Sequence, residues 1–512
     1  MKQTASTCCY CGVGCGVLIE HDGQHIHNVK GDPAHPANLG RLCSKGSTLH
    51  LTGDLAARAL HPELRLGKSM ARNRTDWDSA LGHAAEVFAR TIAEHGPDSV
   101  AFYISGQLLT EDYYSFNKLA RALIGTNNID SNSRLCMSSA VVGYKRSLGA
   151  DAPPCSYEDI EQSNCLLIAG SNMAYAHPVL FRRLEAAREA NPAQKVIVID
   201  PRRTDTCDVA DLHLPLRPGS DVALFHGLLH LLLENDHVDH DFINAHTDGF
   251  EALQALVQDY RQRASRHSAI SARLSCARQP ADRQGRQLSL AVVHGAEPVQ
   301  RRQRQEQRLI NLHLATGQIG KVGSGPFSLT GQPNAMGRET GSLSNLLPGH
   351  RDAGNAEHRR EVADYWGVAG LPEQPGLSAV ELFEAVRDGR IKALWIACTN
   401  PAQSMPDQQL IHQALSLCPF VIVQEAFSTT ETCRYADLLL PAASWGEKEG
   451  CVTNSERRIS HVRPAVPAPG APVPTGILCA TLRADWSKSC ARANPASLPL
   501  LTRLRCLTNT RA

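Results

Sequence analysis

Four cysteines near the N-terminus constrain this chain more than any other feature: Cys8, Cys11, Cys15 and Cys43, read as C-x2-C-x3-C with a fourth Cys after 27 intervening residues. Thiols this dense either pair with one another or bind metal. A disulfide needs Cα atoms ~4.4–6.8 Å apart and side chains that face each other. A C-x2-C-x3-C run instead wraps one centre, and soft thiolates suit iron–sulfur clusters or zinc. Zinc ligands usually come as two C-x2-4-C pairs, so three clustered cysteines and one distant favour a four-iron (4Fe–4S) cluster. Gly12, Gly14 and Gly16 alternate with the ligands. They are expected to supply positive φ and to let backbone amides approach cluster sulfurs. Cys9 reads as a bystander.

The length of 512 residues leaves room for several domains or fewer large ones. Net charge is +1, from 52 basic and 51 acidic residues, so nothing electrostatic points to nucleic acid or a membrane surface. Seventeen cysteines with a clustered set fit a reducing compartment and a metal site better than a secreted disulfide scaffold. No apolar run approaches the ~18 residues of a membrane span. MKQTASTCC lacks the apolar core of a secretory signal. A cytoplasmic protein is the expectation.

Residues 1–60 read as a small β-rich cap around the cluster. Asp76 is a candidate N-cap for a helix over Trp77–His95, whose apolar residues recur at helical spacing, and Val100–Ile104 follows as a buried strand. The clearest later strands are Cys165–Ala169, Val196–Ile199, Ala393–Ala397 and Phe420–Val423. Each is a short apolar run ending in a polar or Gly-containing turn, as in parallel strands covered on both faces. The fold class is α/β, with more than one doubly wound parallel sheet.

In such sheets ligands bind at loops after the carboxyl ends of strands. Gly170-Ser171-Asn172 with His177, Asp200-Pro201-Arg202, and Gly219-Ser220-Asp221 at a helix start occupy such places in the first half; Thr399-Asn400 and Gln424-Glu425 do so in the second. None is a GxGxxG or a P-loop, so neither simple NAD nor ATP binding is indicated. Singly each is an ordinary helix cap; together they point to two nucleotide-like ligands.

The combination resembles the large bis(molybdopterin guanine dinucleotide) oxidoreductases. The resemblance covers residues 4–260 and 309–469 and rests on TCCYCGVGCGV, LCSKG, NSRLCMSSAVVGYKRSLGADAPP, GSNMAYAHP, IDPRRTDT, LPLRPGSDVAL, INLHLATGQIGKVGSGPFSLTGQPNAMGRE, WIACTNPAQSMPD and CRYADLLLPAASWGEKEG. Within that family the chain is most similar to cytoplasmic assimilatory nitrate reductase catalytic subunits. The resemblance implies a molybdopterin oxidoreductase fold of the formate dehydrogenase/DMSO reductase type, with a 4Fe–4S domain at 1–60. One α/β domain would comprise 61–130 and 351–470, and a second, at 131–350, would carry the molybdenum ligand. Cys8, Cys11, Cys15 and Cys43 would hold the cluster, Lys45 would lie between cluster and pterin, and Cys136 would be the thiolate on molybdenum. Gly170, Ser171, Asn172, His177, Asp200, Arg202, Gly219 and Asp221 would bind one guanine dinucleotide. Thr399, Asn400, Gln424, Glu425 and Asp437 would bind the other. Gln332 and Arg338 would face the pterin or the substrate funnel.

Met137 bears on the substrate. Formate dehydrogenases of this family follow their metal ligand with His, which suits C–H cleavage. An apolar Met instead fits oxygen-atom abstraction from nitrate, with electrons arriving singly through the cluster from ferredoxin, flavodoxin or an NADH-linked flavoprotein. Arg338 is a candidate anion guide, since a guanidinium matches a planar oxyanion. Formate dehydrogenase and a molybdenum-free iron–sulfur electron-transfer subunit are the alternatives.

Two segments depart from the family pattern. Residues 261–308 are rich in Gln and Arg, and neither helical nor strand periodicity persists. A polar surface insertion or disordered loop is one reading. A local frameshift is the other, since Val292–Gln300 permits codons that one base later encode W-C-M-G-L-N-Q-S. After about Gly470 the chain again leaves the family pattern, in a tail at 471–512. The expectation is a damaged or misread frame that lacks the family's closing β-barrel domain, with partial folding and weak cofactor binding.

Overall fold

The computed structural model describes residues 1–53, 55–136, 138–258, 288–292, 299–337 and 346–470. The segments at 259–287 and 293–298, most of the stretch read as shifted, lie outside the described residues, as does the tail at 471–512. No described helix is long and apolar enough to cross a membrane.

Strands β1 (Lys2–Thr7), β2 (Gly16–His21) and β3 (Ile26–Gly31) form an antiparallel sheet in that order. Helix α1 (Ser44–Ser47) follows, then β4 (Glu63–Leu64) and β5 (Asn73–Arg74). Helix α2 (Trp77–His95) begins where the sequence predicts. Asp76 accepts the Ser79 amide at 2.8 Å, and Gly96 ends the helix with φ +82. Ala80, Leu81, Ala84, Ala85 and Phe88 bury its apolar face.

A large sheet contains β4, β5, β6 (Val100–Ile104) and β7 (Ile129–Ser131). A second contains β8 (Cys165–Ala169), β9 (Lys195–Ile199), β10 (Leu212–Leu214), β11 (Leu288–Val292) and β12 (Gly325–Ser328). The short hairpin β13 (Leu346–Leu347) and β14 (Arg351–Asp352) precedes a return to the large sheet. The returning strands are β15 (Ala393–Ala397), β16 (Phe420–Glu425) and β17 (Leu438–Pro441). The hairpin β18 (Gly450–Thr453) and β19 (Ile459–Val462) ends the described chain's strands.

The large sheet runs β5-β4-β17-β16-β15-β6-β7, with only β4 antiparallel to its neighbours β17 and β5. Both β6 and β15 are buried at every residue, as strands covered on both faces must be. Phe88 of α2, Phe102, Phe116 and Trp395 pack their rings edge-on or tilted across this core. The second sheet is wholly parallel, in the order β10-β9-β8-β11-β12.

Here the sequence expectation needs correcting. Within 261–308, Leu288–Val292 is a strand paired with β8 on one side and β12 on the other, and a helix spans Val299–Ala315. Five residues, Leu-Ser-Leu-Ala-Val, are too short for periodicity to single out within a Gln- and Arg-rich stretch.

Strand order reverses between β6 and β15 in the large sheet and between β8 and β11 in the second. Chains leaving opposite ways at such a point open a crevice at the carboxyl ends, where ligands bind.

Candidate functional site

The cysteine loop is held from its own hairpin: the Cys8 amide donates to the Cys15 carbonyl at 2.9 Å, joining the end of β1 to the start of β2. Burial pushes the Cys8 thiol well above its ordinary value, and neighbouring Cys9, Cys15 and Cys11 add to the rise. Burial also raises Cys11 and Cys15, with Cys43 beside both. Cys9 is pushed up to about 11 by burial, opposed by Lys448. Cys8, Cys11 and Cys15 therefore repel one another as thiolates, with the half-buried Cys43 beside the latter two, and a bound cationic centre would stabilise them. Among the described residues no three His, Cys, Asp or Glu side chains are gathered tightly enough for a single metal ion.

The glycines act differently from expectation. Only Gly14 has positive φ, at 66°. Gly12 and Gly16 are needed for close approach: a Cβ on Gly12 would meet the Thr330 carbonyl oxygen at 2.3 Å, and one on Gly16 would meet His35 Cβ at 2.3 Å. The Gly12 amide donates to that Thr330 carbonyl at 3.1 Å, and the Ser455 amide to the Gly12 carbonyl at 2.8 Å.

The same Thr330 carbonyl accepts His177 Nε2 at 2.9 Å. The cysteine loop and His177 thus meet on one oxygen. Burial lowers the His177 pKa, the bond to Thr330 opposes that, and Lys45 lowers it further. Lys45 also opposes the burial-driven rise at Cys11. Its exposed ammonium therefore acts on both the cluster loop and His177.

At the switch point of the second sheet, Gly170 turns with φ +63, and its amide donates to the Ile199 carbonyl at 2.9 Å. Ser171 Oγ and His177 Nδ1 are buried with no hydrogen-bond partner. Buried polar atoms left open beside a switch-point crevice fit a polar ligand supplied from outside the chain. Asn172 Oδ1 accepts from Thr206 Oγ1 at 3.1 Å, which shapes the loop rather than leaving the amide free. Asp200 follows β9, is 8% exposed, and accepts the Arg202 amide at 2.8 Å; Arg202 itself is exposed. Gly219, with φ +82, precedes Asp221 at the start of the helix Asp221–Glu234.

At the switch point of the large sheet, β7 runs into a 3-10 turn, Asn132–Leu135, and then Cys136, which is half-buried. Asn132 Oδ1 accepts the Gly106 amide at 2.8 Å and Gln332 Nε2 at 3.1 Å, while its Nδ2 donates to Thr399 Oγ1 at 3.4 Å. Ser133 Oγ donates to Gln332 Oε1 at 2.5 Å. A Cβ on Gly106 would stand 1.9 Å from Ser133 Oγ. Loops after β6, β7, β12 and β15 are thereby tied together beneath Cys136. Sequence reasoning placed Gln332 and Thr399 in the site but passed over Asn132, Ser133 and Gly106, although NSRLC was in view. Met137 and Arg338 lie outside the described residues.

Asn400 Oδ1 accepts from both the amide and the hydroxyl of Thr432 at 3.1 and 2.6 Å, pinning the loop after β15. Gln424 is fully buried at the end of β16. Burial raises the neighbouring Glu425 carboxyl, with the Ala426 amide donating to it at 2.7 Å. Cys398, between them, takes φ +53, an uncommon backbone for a residue with a Cβ.

Asp437 does not join this group. It precedes β17 at the amino edge of the sheet, and its carboxylate accepts from Arg65 at 2.9 Å, Lys68 at 2.5 Å and the Val421 amide at 2.8 Å. A carboxylate so occupied at the far edge is a structural tie, so the expectation that it binds the second dinucleotide is corrected. Lys448 stands nearer the second-half loops. It is half-buried and opposes the burial-driven rise at Cys9, Cys398 and Glu425, so it faces both the cysteine loop and the second-half loops. GEKEG lies in a quoted motif, but a lone Lys between two Glu reads as a solvated turn.

Two family models match this chain: the molybdopterin oxidoreductase Fe4S4 domain over residues 1–53 and molybdopterin oxidoreductase over residues 58–472. It is 46% identical to a nitrate reductase of Klebsiella oxytoca, across 95% of this chain and 54% of that protein. It is 44% identical to a nitrate reductase of Synechocystis sp., across 92% and 67% respectively. The chain thus spans about half the length of the Klebsiella relative. Among solved structures, acetylene hydratase from Pelobacter acetylenicus superposes with a TM-score of 0.74 at 21% identity, covering 100% of this chain and 72% of that one; this shows the fold.

Proposed function

The chain belongs to the molybdopterin oxidoreductase family, and we propose that its site reduces nitrate to nitrite by oxygen-atom transfer. The observation that carries the reading is the hydrogen-bonded junction of Asn132, Ser133, Gln332 and Thr399, which fixes the Cys136 loop at a crevice facing two switch points.

When bound, molybdenum on two pterin guanine dinucleotides supplies two-electron oxygen-atom transfer, and a 4Fe–4S cluster supplies electrons one at a time. Cys136 would hold the molybdenum and Cys8, Cys11, Cys15 and Cys43 the cluster. Lys45 puts a positive charge beside Cys11 and His177, where it favours an arriving electron. Gly170, Ser171, His177, Asp200, Arg202, Gly219 and Asp221 would bind one dinucleotide; Ser171 Oγ and His177 Nδ1 are open for hydrogen bonds to it. Thr399, Gln424, Glu425 and Lys448 would bind the other, with Asn400 holding their loop. Gln332, fixed by Ser133 and Asn132, would face the pterin. Arg338 would draw in the anion, and Met137 would keep the metal's surroundings aprotic. Formate oxidation has less support, since both relatives described above are nitrate reductases.

The clustered thiols and the likeness to assimilatory nitrate reductases support a reducing, cytoplasmic setting. The electron donor is then a soluble one: ferredoxin, flavodoxin or an NADH-linked flavoprotein.

The test uses the protein isolated from its own host. Iron and molybdenum together, with nitrite formed from nitrate under a chemical reductant, are expected. Cys136→Ala should lower nitrite formation to background while iron content stays unchanged. Iron without molybdenum, or full turnover by the variant, would sink the reading.

A further inference from the structure

The carboxyl ends of the large sheet face the crevice, and its amino ends carry a second concavity. Between α2 and the starts of β15, β16 and β17 lies a cavity of about 370 Å3. Four cationic side chains line it, Arg65, Lys68, Arg90 and Lys392, against the two carboxylates of Asp437 and Glu94. Asp437 is shared by Arg65 and Lys68, at 2.9 and 2.5 Å. Glu94 stands 3.7 Å from its neighbour His95. Neither Arg90 nor Lys392 has a carboxylate at ion-pair distance among the described residues. The remaining wall is mixed: His83, Thr91 and His95 stand beside Leu66 and Pro419, both exposed, and the His83 ring meets the buried Phe420 edge-on at 5.6 Å.

We propose that this cavity binds a small organic phosphate of nucleoside-phosphate size, at a site separate from the dinucleotide crevice. Unneutralised cations in a concave site focus the field and draw in an anion. A guanidinium matches phosphate oxygens in a fork geometry, and an ammonium adds a point charge. Arg90 and Lys392 sit on different elements, α2 and the lead-in to β15, so one phosphate between them joins helix to sheet. Leu66, 76% exposed, and Pro419 offer apolar surface to a ring. The volume falls at the lower end of the roughly 300–1,000 Å3 usual for small-molecule sites.

Equilibrium binding of ADP and of inorganic phosphate to the isolated holoprotein, whose dinucleotide crevice is filled, tests this. Saturable ADP binding at one site per chain is expected, at least tenfold tighter than inorganic phosphate. The double variant Arg90→Ala/Lys392→Ala should weaken ADP binding at least tenfold with no loss of melting temperature. In the unmodified protein ADP should slow acetylation of Lys392, read by mass spectrometry. Absence of saturation, equal affinity for both probes, unchanged binding by the double variant, or acetylation of Lys392 indifferent to ADP would each overturn the proposal.

Discussion

A methyl group on Gly12 would stand 2.2 Å from Thr330 Cγ2 and 2.3 Å from the Thr330 carbonyl oxygen. The side chain could swing away; the carbonyl could not, because it also holds the Gly12 amide and His177 Nε2. Overpacking of this kind costs about 1–3 kcal/mol. Gly12→Ala should therefore lower the melting temperature and the visible absorbance of the bound cluster together; an unchanged melt with full absorbance would show that the loop has more room than the packing allows. At this scale the sequence was uneven. The spacing of the four thiols was legible because it is local, while Cys136 was legible only through the family motif around it. Asp437 and Lys448 were not: each stands in a quoted motif, yet their roles depend on which end of the large sheet they occupy.

Helix α2 is the element most completely written in the sequence, cap and boundaries included, because its signals are all within one turn of where they act. Gly82 sits in its interior with nothing within 4 Å of a built Cβ. Gly82→Ala should stabilise the protein by about 0.5–1 kcal/mol by removing backbone freedom from the unfolded chain. A denaturant midpoint that falls would contradict this. β11 is the opposite case. Its five residues, Leu-Ser-Leu-Ala-Val, are too few to stand out locally, and pairing with β8 and β12 makes them a strand.

Across the whole molecule, distant segments are locked by buried polar ties. Arg58, with a side chain 0% exposed, forks onto Glu447 at 2.6 and 2.7 Å and donates to the Ala426 carbonyl at 3.1 Å. Arg58→Ala leaves the Glu447 carboxylate buried without its cation, which costs about 3–5 kcal/mol. The double variant Arg58→Ala/Glu447→Ala should recover part of that loss, a coupling that chemical denaturation of the single and double variants measures. Additive losses would mean that the two side chains do not act as a pair. The sequence by itself determined the cysteine basket, the α/β alternation and the loops that follow each strand, since these depend on neighbours a few residues apart. Only the tertiary structure decided which loops share a crevice. Thr330 joins Gly12 to His177, and Asn132 joins Gly106, Gln332 and Thr399, because strand order reverses at β6/β15 and β8/β11. That order is set by burying both faces of each parallel sheet, a condition on the packed chain that no local stretch of residues contains.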